Sequence, residues 1–465
     1  MRSSSLEFEW RNRTFYVAAA RRLSFPYGDA NRHPNYGYYE LSADRRSPAK
    51  SSGLAMSVFR NAAFLLLARA VSLISRLAFV LIAARELGAQ NYGTFVYVQA
   101  WCLLFLPLIH FGSQSVMSRY FGQGPRVGID IAAKLLGFRA FLLPVVAGMC
   151  LLSGWLVESN PDTRFFLLVA CIGLMGRGLA LWASHFFIAS ENSQKVLLLD
   201  FFFRPLEVVA ASIFLINGGG IKSLLFVYAT VWWLQAGVSY VWIKRSYPGL
   251  RPSWKIGENV WLLRDSGASL IVSLAVAWFM QAPLAIGRWN LDAVTFGQFA
   301  LAMQLLQVCA MVPGAFGNAA MPALSRSFHN NGAADQQYVL LAIPVSLFSA
   351  VILTVLVYLM GDSIIPLVFG SSYGTAAEFL AFGLIIFVAP YSTALLLSNA
   401  ALARGLFKWS SRIAMFPICL AVALAFYFTP NWSVYGLLLA FGCGSVVWTA
   451  VLFARLKRQP EGNPN

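Results

Sequence analysis

Arg69 and Arg76 lie inside a long apolar run, 58–84, seven positions apart. Seven residues make two helical turns, so both guanidinium groups sit on nearly one face, with Ser72 between them. No Asp or Glu stands three or four residues from either. Forked guanidinium donors grip phosphate oxygens through paired bonds, and exclusion of water strengthens the grip. The stripe Arg69, Ser72, Arg76 is thus a candidate anion site; an acid on another helix is the competing partner. By the helical rise, Arg69 lies about 16 Å from the start of its run, too deep for easy escape to the interface.

Further groups repeat the theme. Arg177 falls near the middle of a later apolar run among Gly173, Gly176 and Gly178. Small neighbours permit close helix approach, so Arg177 suits either cargo contact or packing against a cross-helix acid. Arg139 and Lys134 suit leaflet-surface anchoring as well as substrate capture, and Lys134 fits the anchor better. Gln304 and Gln307 share a face and can bond sugar hydroxyls or a neighbouring helix. Asp200, Arg204 and Glu207 are spaced i, i+4 and i+7 (Arg204 to Glu207 being i, i+3), which predicts a self-contained ion-pair ladder whose carboxylates are also candidates for proton coupling. His110 and His185 have no ligand partners in sequence. The six cysteines (Cys102, Cys150, Cys171, Cys309, Cys419, Cys443) all lie in apolar segments without metal spacing, and read as small core residues. No metal, cofactor or catalytic residue is assigned.

These side chains need a membrane-embedded frame. Of 465 residues, 58% are hydrophobic and only 12% charged, against about 25% charged in soluble domains. A charged group at the bilayer centre costs about 2.5–3.5 kcal/mol even on the lenient insertion scale. Intramembrane arginines therefore face a bundle interior or a wet cavity, here a positive one, whose cargo would be negative. The net charge of +16 is spread between apolar runs, which indicates topology-setting charges rather than nucleic-acid binding.

Twelve segments of membrane length are expected: 58–84, 94–116, 130–155, 163–189, 196–216, 222–243, 260–287, 294–321, 338–360, 376–400, 410–428 and 434–454. They read as helices, since the runs lack the alternation of barrel strands. Even-numbered connections and the C-terminus carry Arg119, Arg126, Lys195, Lys244, Arg245, Arg251, Lys255, Arg326, Arg404, Lys408, Arg412, Arg455, Lys457 and Arg458. Odd-numbered connections carry only Arg85, Arg164, Lys222 and Arg288. The positive-inside rule then places both termini in the cytoplasm. The longest outer loop is expected at about 361–375, with Asp362 and no basic residue. Residues 1–57 hold nine Lys/Arg, five Asp/Glu and no apolar run of signal-peptide length. They read as a disordered cytoplasmic tail, with Met56 an alternative start.

The chain repeats itself. Leu87-Gly-Ala89-Gln-Asn-Tyr92-Gly93-Thr-Phe95 recurs 204 positions later as Leu291-Asp-Ala293-Val-Thr-Phe296-Gly297-Gln-Phe299. Phe111-Gly112 is echoed by Phe316-Gly317, and Ser118-Arg119 by Ser325-Arg326. The expected organisation is the tail 1–57, a six-helix bundle 58–243, a basic cytoplasmic linker 244–259, a second six-helix bundle 260–456 and a cytoplasmic tail 457–465. Six is even, so both halves enter from the same side and form a parallel repeat.

Ser75-Arg76-Leu-Ala-Phe, Ala84-Arg85-Glu-Leu-Gly88-Ala-Gln-Asn-Tyr92-Gly93-Thr-Phe95, Phe111-Gly112 and Ser118-Arg119 together resemble the opening of Wzx-type polysaccharide (O-antigen) flippases. That family belongs to the exporter superfamily that also holds multidrug antiporters and lipid II flippases. The resemblance covers residues 58–458. It implies an all-α integral membrane protein of two six-helix bundles around a central cavity that opens to either side in turn. It implies a cargo of undecaprenyl-pyrophosphate-linked oligosaccharide, moved to the outer leaflet of the bacterial inner membrane. A polysaccharide polymerase and other export machinery, with membrane lipid, are the partners it brings. The expected division of labour puts the pyrophosphate on the arginines of the first half and the glycan along the second. Two other classes compete: a cation-coupled multidrug antiporter, and a membrane polysaccharide polymerase or ligase.

Overall fold

Backbone amides in hydrocarbon must bond within their own segment, and the chain answers with helix alone: no strand occurs among the described residues. The computed structural model describes residues 50–253, 260–329, 334–404 and 406–458. The first helix, α1, spans Lys50–His110 and is broken at Gly88, whose φ of 69° and ψ of 168° are not helical. A positive φ is cheap only for glycine, so Gly88 lets one continuous run turn back across the membrane. A second break, at Phe111 and Gly112 (φ 45° and 65°), leads to α2, Ser113–Phe121. Then follow α3 (Pro125–Val157), α4 (Pro161–Ala189), α5 (Ser193–Ile216) and α6 (Ile221–Ser246).

The second half contains α7 (Val260–Asn290), α8 (Ala293–His329), α9 (Ala334–Phe369), α10 (Ala376–Gly383), α11 (Ala389–Ala403) and α12 (Phe407–Arg458). The last is broken at Ser433. A π-helical turn, Leu384–Val388, joins α10 to α11. Pro390 has no N–H to return to the carbonyl four residues earlier. That carbonyl, of Ile386, instead faces Gly442, where a side chain would overlap it.

Nine helices among the described residues are long and apolar enough to cross a membrane. Two of them, Arg60–Phe121 and Lys408–Lys457, contain a break and supply two crossings each. The charges of α5 keep it out of a purely apolar class, yet its 24 residues extend about 36 Å. Each of the twelve expected segments thus has a helix.

The halves meet along their repeated junctions. Gly93 and Gly297, equivalent positions of the two repeats, face each other; a Cβ on Gly93 would sit 3.0 Å from the Cα of Gly297. A Cβ on Gly297 would overlap the Ala89 carbonyl. Tyr373 donates its hydroxyl to the Ala84 carbonyl at 3.0 Å, and its ring meets Tyr92 edge-on at 6.2 Å. Elsewhere Trp278 Nε1 reaches the Leu104 carbonyl at 3.3 Å, and Ser115 meets Ser269 at 2.9 Å.

Two expected connections differ. The outer loop 361–375 is largely helix, because α9 continues to Phe369 and Tyr373 then inserts fully buried between the halves. The linker 244–259 is partly docked: α6 runs to Ser246, Leu250 is buried, and Ser253 N–H bonds the Ala133 carbonyl at 3.1 Å. The expected tail 1–57 falls, up to residue 49, outside the described residues, as do 254–259 and 459–465.

Candidate functional site

The arginine stripe on α1 lands at the junction of three helices of its own half and one of the other. Arg76 is half-buried, and its terminal nitrogen donates to Gln304 Oε1 at 2.7 Å and Gln307 Oε1 at 2.6 Å. Gln304 and Gln307 lie on one face of α8, three residues apart, as helical spacing demands. Gln307 is itself fixed by donating to the Met280 carbonyl at 3.1 Å. An arginine of the first half thus rests on neutral amides of the second, with no carboxylate among its hydrogen-bond partners.

Arg69, two turns away, is exposed and makes no hydrogen bond or ion pair among the described residues. It stands within electrostatic range of Asp200 and His185. Ser72, between the arginines, donates to Asp200 Oδ2 at 3.2 Å. Asp200 also bonds Gln235 of α6, a buried amide that accepts from Arg204. The expected ladder is therefore half right. Arg204 pairs with Glu207 at 2.6 Å, but Asp200 turns across to α1 and α6. Residues on different helices outcompete the i, i+4 partner because packing brings them closer.

Arg177 reaches this network from α4. Its guanidinium carbon lies 5.0 Å from the ring centre of Trp232, and that of Arg204 lies 3.9 Å from the same ring. Arg177 bonds Tyr228, and its charge is felt at Arg76 and Glu207. The Nε of Arg177 and the indole Nε1 of Trp232 are both buried without an acceptor. Two buried donors on stacked side chains are thus left with hydrogen-bonding capacity that an acceptor could satisfy. Gly173 and Gly176 permit the geometry: Cβ atoms there would press within 2.5 Å of the Tyr228 ring and 2.9 Å of the Trp233 ring. Trp232, Tyr228 and Gln235 were not singled out from sequence; an aromatic run on one helix carries no mark of the arginine it will stack against.

Arg204 and Glu207 form one pair, and Asp200 opposes Arg69. Four guanidinium groups (Arg69, Arg76, Arg177, Arg204) and two carboxylates (Asp200, Glu207) leave the cluster with a net charge of +2.

Arg139 lies apart. It is 1% exposed and donates to the Gly178 carbonyl at 2.9 Å, the His110 carbonyl at 3.2 Å and Ser113 Oγ at 2.5 Å. The His110 carbonyl and Ser113 Oγ sit at the break after α1 and the Gly178 carbonyl on α4, so the guanidinium ties the bent backbone to α4, and Ser113 in turn meets His185 Nδ1 at 3.3 Å. Lys134 pairs with Asp130 at 2.8 Å, in keeping with an anchor.

Among solved structures the fold is shared with transporters of the MOP superfamily. An inward-facing multidrug-resistance MATE transporter aligns with TM-score 0.64 at 13% identity, covering 84% of this chain and 97% of that one. The lipid II flippase MurJ, in an inward closed conformation, aligns with TM-score 0.66 at 13% identity, covering 85% and 88%. A MOP-superfamily transporter from Pyrococcus furiosus, described by the reverse polarity of its binding pocket, aligns with TM-score 0.54 at 14% identity, covering 86% and 94%. No protein-family profile matches the sequence, and no curated protein sequence matches it. The chain is a multi-pass helical membrane protein with the two-bundle fold of MOP-superfamily transporters.

Proposed function

We propose that this protein is a flippase that carries a polyprenyl-pyrophosphate-linked oligosaccharide from the cytoplasmic to the outer leaflet of a bacterial inner membrane, for cell-surface polysaccharide synthesis. The observation that carries this reading is the net +2 cluster in the first half, with Arg69 exposed and two buried donors on Arg177 and Trp232 lacking acceptors among the described residues. A sugar pyrophosphate diester carries two negative charges, so it matches the cluster in sign and size. Arg69, Ser72, Arg76 and Arg177 would hold the pyrophosphate, and Gln304 and Gln307 would contact the glycan once Arg76 leaves them. Arg139 would act on the carrier only through the backbone break it supports.

The orientation set by the positive-inside count puts the glycine junction at the outer face. In that frame the protein is closed outward, with Arg69 exposed on the cytoplasmic side of Arg76. Cargo would enter from the inner leaflet, draw Arg76 off its glutamines and free the halves to rock. Asp200 and Glu207 are the coupling candidates; an inside-negative potential would also drive an anion outward by about 2.3 kcal/mol per charge per 100 mV. A multidrug antiporter needs a carboxylate free for a cationic drug, whereas Asp200 and Glu207 lie among four arginines. A polymerase or ligase would be expected to use a broad outer loop, and the segment 361–375 is mostly helix and seam.

The test is reconstitution. Proteoliposomes holding the protein and a fluorescent polyprenyl-pyrophosphate oligosaccharide should expose it to an outside quencher, and the Arg69→Gln/Arg76→Gln double variant should not. Equal exposure by both would refute the assignment.

A further inference from the structure

Cys102 on α1, Cys150 on α3 and Cys171 on α4 converge in the core of the first bundle. Cys102 Sγ lies 4.0 Å from Cys171 Sγ and 3.9 Å from Cys150 Sγ. All three sulfurs lie within 4.8 Å of one another, and the residues are 2%, 0% and 4% exposed. None is in a disulfide. They are 48 and 21 positions apart in sequence, so no spacing motif announces them.

The geometry points to a three-sulfur site for a soft monovalent cation, Cu(I) or Ag(I). A metal–thiolate bond is about 2.3 Å, so three sulfurs around an ion in their plane lie about 4.0 Å apart. The observed 3.9 and 4.0 Å edges fit without movement of the helices. Soft thiolates select soft ions. Zinc would seek a fourth ligand, and no histidine or carboxylate joins the trio among the described residues. Full burial also leaves no water to complete a tetrahedron. A three-coordinate d10 ion needs neither.

All three sulfurs bind as thiolates and their protons leave to solvent, so the loaded site carries a net charge of −2. Arg177, which bonds Tyr228, a side chain in electrostatic range of Cys102, offsets part of it. The site thus ties three helices together and is linked to the arginine cluster through Tyr228, yet it stands independently of the flippase reading.

The full-length protein, purified in detergent with a phosphine reductant, would be loaded with Cu(I) against the chelator bathocuproine disulfonate. One copper retained per chain, with X-ray absorption showing three sulfurs at about 2.3 Å, is expected. The triple variant Cys309→Ser/Cys419→Ser/Cys443→Ser should retain it. Cys102→Ala, Cys150→Ala and Cys171→Ala should each lose copper at least tenfold more readily to the chelator. Loss of all copper to the chelator by the unaltered protein overturns the site. A copper shell of two sulfurs, or one with nitrogen or oxygen donors, overturns it equally, whether or not any variant folds.

Discussion

Arg76 is the residue on which the two halves and the cationic cluster converge. Its two bonds to Gln304 and Gln307 at 2.7 and 2.6 Å are charge-assisted, and a glutamine at this half-buried position can still bond either amide. Arg76→Gln should weaken binding of a pyrophosphoryl lipid about 10–100-fold, measured by fluorescence titration in detergent, while leaving thermal stability within a few degrees. Arg139→Met should do the reverse. It leaves three acceptors without their donor, two at the α1–α2 break and one on α4, and should cost about 2–4 kcal/mol, read as a fall in melting temperature. Both arginines look alike in sequence, each a cation in an apolar run. Only tertiary contacts separate them, because the Gly178 and His110 carbonyls come from helices distant in the chain. The stripe Arg69, Ser72, Arg76 was legible because helical periodicity fixes a face. Trp232, Gln235 and the three core cysteines were not, because nothing local marks a partner on another helix.

At the scale of elements, the repeat did most to reveal the fold. Leu87 to Phe95 and Leu291 to Phe299 pack against each other at Gly93 and Gly297. Gly297→Ala should pry the junction apart, since its Cβ would overlap the Ala89 carbonyl. Paired spin labels across Ala84 and Tyr373 should then report a longer distance; an unchanged distance would contradict the seam. The repeats also differ instructively. Where the first has Gly88 with positive φ, the second has Asp292, whose Oδ1 accepts from the Val294 and Thr295 amides at 3.1 and 3.0 Å. Hydrogen bonds from Thr295 hold this carboxyl below its ordinary range. A depressed folded value means the cap contributes fully above the ordinary carboxylate pKa near 4 and is lost as pH falls through the lowered value. Asp292→Ala should cost about 1 kcal/mol at pH 7 and nothing measurable once the carboxyl is protonated in the fold. The segment 361–375 reads as a loop because hydropathy falls at Gly361-Asp362, whereas the helix tolerates both and runs to Phe369.

For the whole molecule, charge and hydropathy were enough to fix twelve crossings and an all-helical frame, since a bilayer permits few alternatives. Direction, cargo and the pairing of halves depend on long-range contacts that composition does not encode. In the whole molecule Arg76 of the first half is latched to the neutral amides Gln304 and Gln307 of the second, and the halves close along the glycine junction. Gln304→Leu/Gln307→Leu should unlatch it, raising the rate at which a cysteine placed at Ala62 is blocked by a membrane-impermeant thiol reagent, with lipid binding retained. The measurement that bears most directly on the central claim is equilibrium binding of a polyprenyl pyrophosphate to the purified protein. The account predicts saturable binding that weakens with salt and is lost in the Arg69→Gln/Arg76→Gln/Arg177→Gln variant. Binding of equal strength in that variant, or a preference for a cationic amphiphile over the pyrophosphate, would contradict it.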